Sequence, residues 1–113
     1  LCVTEIVAKK NIFYDYKSKY HKGGSRHIIP AKIPKTIKDL SFAWAEKAFH
    51  FLNCRGVIRA DFRYDSKNGK LYMLEINTHP GMTETSLIPE QAQYCGISFN
   101  KLIEILLENA KCD

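Results

Sequence analysis

The chain has 113 residues, 45% of them hydrophobic, and a formal net charge of +5. That is material for a single domain over residues 1–113 with a modest core, and the plentiful aliphatic and aromatic side chains exclude a disordered segment. No apolar stretch is long enough for a helix to cross a bilayer and no signal peptide opens the chain, while the scattered lysines read as solvated surface and do not choose among nucleotide, nucleic acid and membrane as an anionic partner.

Residues 1–8, LCVTEIVA, read as a strand from the first position with no initiator methionine, so the chain is expected to be a piece of a longer polypeptide. The segment FYDYKSKYHKGGSRHIIP has no clean period and reads as a long ordered loop, a kind of segment that often carries function in compact domains. Pro30 and Pro34 keep the following residues extended. Thr36 fits a helix N-cap with Asp39 in the first turn. Ile37, Leu40, Ala43, Trp44, Ala48, Phe51 and Leu52 recur at helical spacing up to about Asn53, and Trp44, Phe49 and Phe51 are expected in the core.

Two strands follow, 57–64 and 71–77, joined by the turn residues DSKNGK. Pro89 suits a helix start, Gly96 its stop, and Ser98 the start of the last helix. Ile97 and Leu102 are spaced as a hydrophobic staple. Phe99, Leu102, Ile103, Leu106 and Leu107 make the expected buried stripe. Cys2, Cys54, Cys95 and Cys112 show no C-x-x-C spacing, so zinc is not expected. Cys54 and Cys95 read as reduced core thiols in a cytoplasmic protein, although four cysteines also allow two bridges.

The hairpin carries the chemistry. Side chains alternate faces along a strand. Ile58, Ala60, Phe62 and Tyr64 form the apolar face of the first strand; Tyr72, Leu74 and Ile76 form that of the second. Matching these faces puts Arg59, Asp61, Glu75 and Asn77 on the opposite side together, with Leu71 and Met73, and places the turn near Asn68-Gly69. Two readings of the patch stay open. Arg59 bridges Asp61 and Glu75 as a surface ion pair of little energetic consequence. Alternatively, the hard oxygens of Asp61, Glu75 and Asn77 hold Mg²⁺ together with substrate phosphates. Next comes THPGMTETS: Pro80-Gly81 offers a turn with an approachable N–H, and Ser86 and the Leu87 N–H lie at a helix start that favours a carboxylate. His79 is expected to face solvent; His21, His27 and His50 form no cluster.

Arg59 and Asp61 in R-x-D, LEINTHPGMT at 74–83 and Ser86-Leu87 resemble the C-terminal part of D-alanine–D-alanine ligases, which are ATP-grasp enzymes. FYDYKSKY at 13–20 is similar to the loop that closes over that family's active site, and the helix with Trp44 and GISFNKLI at 96–103 also match. The resemblance implies an α/β (α+β) fold, mainly antiparallel sheet with flanking helices, forming the C-terminal part of an ATP-grasp domain whose active-site loop covers about residues 11–30. It implies ATP-dependent joining of two D-alanines through an acyl phosphate, for peptidoglycan precursor synthesis.

By position, the resemblance assigns Asp61, Glu75 and Asn77 to two Mg²⁺ ions, with Mn²⁺ a substitute, and Glu75, Asn77 and Lys19 to the nucleotide. Arg59 and the Gly81 N–H would form an oxyanion hole. Ser86 and Leu87 would hold the second D-alanine, and Tyr20 would shield the site. Implied partners are D-alanine and ATP, with no nucleic acid and no membrane, in a cytoplasmic homodimer. The resemblance also places an N-terminal domain and the rest of the ATP-binding domain before Leu1, so the chain alone is expected to be inactive. Alternatives are a D-alanine–D-lactate ligase, another ATP-grasp carboxylate–amine ligase, an inactive folding fragment, or a basic binding module. The last lacks an aromatic platform for single strands and a groove-reading helix.

Overall fold

The structure, a computed structural model, describes residues 1–8 and 25–112. Its backbone falls into two compact units, Leu1–Lys32 and Ile33–Asp113.

In the first unit, strand β1 (Glu5–Ala8) pairs antiparallel with strand β2 (Ser25–Ile28), from Glu5 opposite Ile28 to Ala8 opposite Ser25. The Ala31 N–H donates to the Val3 carbonyl at 2.8 Å and extends the pairing. The segment SRHI was expected to belong to the loop; it is a strand because β1 supplies the partner, while its four residues carry no alternation long enough to announce it. Residues 13–24 of the expected loop, Lys19 and Tyr20 included, lie outside the described residues.

The second unit runs helix α1 (Lys35–Phe51), strand β3 (Arg59–Asp65), strand β4 (Lys70–Asn77), helix α2 (Leu87–Tyr94) and helix α3 (Phe99–Asn109). Helix α1 starts at Lys35 after Pro34, with no side-chain cap and no acid in its first turn, so Thr36 is not the N-cap. Proline is pre-set for a helix entry, and Lys35 Nζ reaches Asp39 one turn on at 2.8 Å. The buried residues of α1 are Ile37 and Ser41, and the Trp44 ring stacks on Phe62 of β3 at 6.5 Å. Phe51 is 87% exposed and Leu40 and Leu52 also face outward, against expectation. Apolar residues occur at helical spacing on more than one side of α1. Ser41 tips the choice, because its hydroxyl is satisfied internally by the Lys38 carbonyl at 2.6 Å and is therefore buried cheaply.

The hairpin of β3 and β4 holds the expected register at its open end, with Arg59 opposite Asn77, Ala60 opposite Ile76 and Asp61 opposite Glu75. A bulge then follows: Phe62 pairs with Met73 and Tyr64 with Leu71, so Leu74 is the extra residue and is 65% exposed. The bulge turns Met73 and Leu71 onto the apolar side with Phe62 and Tyr64, not the polar side that uninterrupted alternation dictates. Tyr72 and Leu74 are accordingly exposed. The turn closes on Gly69 at φ +64°, a left-handed position that suits glycine.

The core sits between α2 and α3. Ile88, Ala92 and Leu102 are buried, with Val57, Met82, Ile97 and Leu106 packed against them. Val57 therefore belongs to this core and precedes the strand. Ser98 caps α3 by accepting the Lys101 N–H at 3.1 Å, and Ile97 packs against the cluster that contains Leu102, as a staple would place it. Leu107 is 70% exposed, outside the expected stripe. Gly96, at φ +82°, ends α2. All four cysteines are free and Cys95 is exposed, not in the core.

Replacing Leu102 by Ala should cost about 2–5 kcal/mol of stability, and Leu107→Ala less than about 1 kcal/mol, measured by denaturant unfolding of the full-length protein. A second expectation concerns the turn. The Asn68 side-chain amide, donating to Asp65 at 2.6 Å, holds the Asp65 carboxyl below the usual range, helped by the N–H groups of Asn68 and Lys67 and by Arg63. A carboxyl lowered on folding adds stability above its unfolded pKa and loses it as pH falls through the folded value. Asn68→Ala should move the Asp65 titration upward in an NMR pH series.

Candidate functional site

Arg59, Asp61, Glu75 and Asn77 lie on one face of the open end of the hairpin, the face turned from the Phe62 ring that meets Trp44. Two carboxylates opposite each other across a strand pair repel. Arg59 answers that repulsion. Its Nε donates to Asp61 Oδ1 at 2.8 Å and a terminal nitrogen donates to Oδ2 at 2.9 Å, a bidentate pair; the same nitrogen lies 3.6 Å from Glu75 Oε1. The bridge anticipated as one reading of the sequence is therefore present. Arg59 is mostly covered, while the Glu75 side chain is 55% exposed, so the open carboxylate of the pair is Glu75.

Asn77 extends the patch. Its Oδ1 accepts the His79 N–H at 2.9 Å, which fixes the amide oxygen and begins the turn out of β4. His79 is exposed, as expected. Among the described residues no three His, Cys, Asp or Glu side chains gather as a metal group. The donor set is instead two carboxylates and an amide oxygen, hard ligands that fit Mg²⁺ and not zinc.

The segment from Thr78 to Ser86 brings the second part of the site. Pro80 is buried and Met82 packs on the core, so both ends of the Gly81 peptide are anchored while Gly81 is exposed. Its φ is not in the left-handed range. The requirement for glycine is space: a Cβ here would stand 3.0 Å from Ser86 Oγ. Ser86 is the N-cap residue of α2, yet its side chain accepts no bond from the helix. It is held by Thr83, whose N–H donates to Ser86 Oγ at 3.1 Å and whose Oγ1 lies 2.7 Å away. The role of Thr83 was not visible in the sequence, where it was one hydroxyl in a cluster. Leu87 follows as the first helical residue, with an N–H that has no acceptor within its own helix. A groove of about 650 Å³ runs along this segment between Arg55, Val57, His79, Met82, Leu106 and Lys111. The carboxylates of the hairpin do not line it.

This hairpin with its flanking helices is the C-terminal part of an ATP-grasp fold, mainly antiparallel sheet with helices, as expected. The chain belongs to the family described as the D-ala D-ala ligase C-terminus, whose model matches residues 1–108. It is 52% identical over 110 residues to a D-alanine–D-alanine ligase of Caulobacter vibrioides, covering 97% of this chain and 34% of that protein. It is 50% identical over 113 residues to the enzyme of Sinorhizobium fredii, covering 99% and 37%. The chain thus spans about a third of the curated relatives it matches. Among solved structures, D-alanyl-alanine synthetase A from Vibrio cholerae superposes with a TM-score of 0.72 at 28% identity, over 94% of this chain and 32% of that one. A D-alanine–D-alanine ligase from Bacillus anthracis complexed with ATP superposes at 0.68 and 28% identity, over 76% and 28%.

Gly81→Ala should drive the Ser86 hydroxyl from its place against Thr83. The expected cost is about 1 kcal/mol for an off-rotamer or rotated side chain, read by thermal denaturation and by the Ser86 position in a crystal structure of the variant.

Proposed function

We propose that this chain is the C-terminal part of the catalytic domain of a D-alanine–D-alanine ligase, an ATP-dependent enzyme that makes the dipeptide for peptidoglycan precursors. The observation that carries the reading is the Asp61–Glu75 pair, directly opposed across the hairpin, with Arg59 hydrogen-bonded to Asp61 and 3.6 Å from Glu75. The relatives' names and the ATP complex of a structural neighbour support it.

Asp61, Glu75 and Asn77 would hold two Mg²⁺ ions, for which Mn²⁺ would be a substitute, with Glu75 and Asn77 also serving the nucleotide. The chemistry such a metal would supply is neutralisation of charge on the phosphoryl group during phosphorylation of the first D-alanine's carboxylate. Arg59 lies on the same face, and it and the Gly81 N–H bind the oxyanion that forms when the amine of the second D-alanine attacks the acyl phosphate. Ser86 and the Leu87 N–H hold the carboxylate of that second D-alanine at the start of α2, where the helix dipole favours an anion. By the resemblance, Lys19 would serve the terminal phosphate and Tyr20 would keep water from hydrolysing the intermediate. The enzyme is cytoplasmic and dimeric. The chain spans about a third of those relatives; in this reading the rest of such a protein supplies the remaining nucleotide and first-amino-acid contacts.

The test is phosphate release by the full-length protein with ATP, Mg²⁺ and D-alanine, with the product assayed as dipeptide or, when D-lactate is added, depsipeptide. Arg59→Gln should lower kcat by about 10²–10³. Glu75→Gln should weaken Mn²⁺ binding at least about tenfold in a paramagnetic titration. A wild-type enzyme that forms no dipeptide, or a Glu75 variant with unchanged metal affinity, would refute the assignment.

A further inference from the structure

Ser86 and Ser98 stand at equivalent places, each the N-cap of a helix, and they behave differently. Ser98 Oγ accepts the N–H of Lys101 and caps α3. Ser86 Oγ makes no such bond to α2 and is turned back onto Thr83. The hold is mutual: the Thr83 N–H and Oγ1 both reach Ser86 Oγ, at 3.1 and 2.7 Å, and the Ser86 N–H donates to the Thr83 carbonyl at 3.0 Å. Thr85 Oγ1 lies 3.4 Å from Thr83 Oγ1 and completes a chain of hydroxyls. Part of the difference is local: the third residue of α2 is Pro89, which has no N–H to match the one Lys101 gives to Ser98, so the bonds to Thr83 hold a hydroxyl that the helix does not claim.

We propose that Thr83 is a positioning residue for the acceptor amino acid, acting through Ser86. The inference rests on the reading of Ser86 as a carboxylate holder given above. A serine hydroxyl has two acceptor lone pairs and one proton. The Thr83 N–H takes one lone pair, and in the proposed arrangement Thr83 Oγ1, 2.7 Å away, gives its proton to the second. The Ser86 proton is then left to point outward, and the hydroxyl is a donor only, which is the polarity that an acceptor such as an incoming carboxylate requires and an ammonium group does not. Keeping Ser86 off the helix also leaves the first N–H groups of α2, beginning with that of Leu87, directed at the same anion. Gly81 fixes the opposite side, since any side chain there would press on Ser86 Oγ. Thr83 thus sets both the orientation and the hydrogen-bond polarity of a group that it does not itself present to substrate.

Thr83→Val keeps the N–H and the shape of the side chain and removes only the hydroxyl. In the full-length enzyme it should raise KM for D-alanine at the acceptor site about three- to tenfold, as expected for one mis-set hydrogen bond to a charged group. KM for ATP and kcat should change less than about twofold, and Thr83→Ser should restore the wild-type value. An unchanged acceptor KM in Thr83→Val overturns the inference while leaving the ligase reading in place. So does a variant that loses kcat, ATP affinity and thermal stability together without rescue by serine, because that is the signature of a purely structural role. A wild-type enzyme that makes no dipeptide overturns the inference together with the reading beneath it.

Discussion

The site depends on two like charges being held opposite each other. Asp61 and Glu75 face one another across the hairpin, and nothing in strand pairing favours that arrangement. Arg59 makes it tolerable by gripping both oxygens of Asp61 and extending toward Glu75. A guanidinium suits this task better than an ammonium, because its planar fork satisfies two carboxylate oxygens at once and keeps its charge at any working pH. The stabilisation gained is small for a half-exposed pair. Its value is a patch of paired negative charge held by one guanidinium, while the more open carboxylate, Glu75, remains accessible.

The same hairpin shows how far alternation can be pushed. The register at the open end follows from matching Ala60 with Ile76, and that register alone brings Arg59, Asp61, Glu75 and Asn77 together. The pattern contained a warning: Leu71 and Met73 were assigned to the face of Glu75 and Asn77, and no single alternation gives both pairs a suitable environment. The bulge at Leu74 resolves the conflict by shifting the phase. Bulges leave little trace in sequence because the extra residue only has to tolerate exposure. The shift lies between the site and the turn, so the functional register survived an error in the apolar one.

Helix α1 was legible as an element and misread as a surface. Its apolar residues mark more than one stripe, and the deciding contact, Trp44 on Phe62, is tertiary. Ser41 is buried where a hydrophobicity count sees a polar residue. The helix starts at Ser98 and the stop at Gly96 were readable because caps obey local chemistry. Strand β2 was not readable, since four residues without alternation become a strand only through the pairing that β1 provides. At the Gly81–Ser86 segment the motif named Gly81, Ser86 and Leu87 but not their arrangement. The resemblance to known ligases supplied their roles, and the hydrogen bonds to Thr83 supplied a reason for the threonine.

The bulge has a practical corollary for anyone working with the molecule. It pins the pairing of Asp61 with Glu75 independently of whatever connects the strands beyond it. Lengthening the exposed Ser66–Gly69 connection, whether by natural indels or by grafting a short peptide epitope, leaves the phase of the far end untouched. The tip of this hairpin is therefore the place to attach a reporter without disturbing the acidic patch.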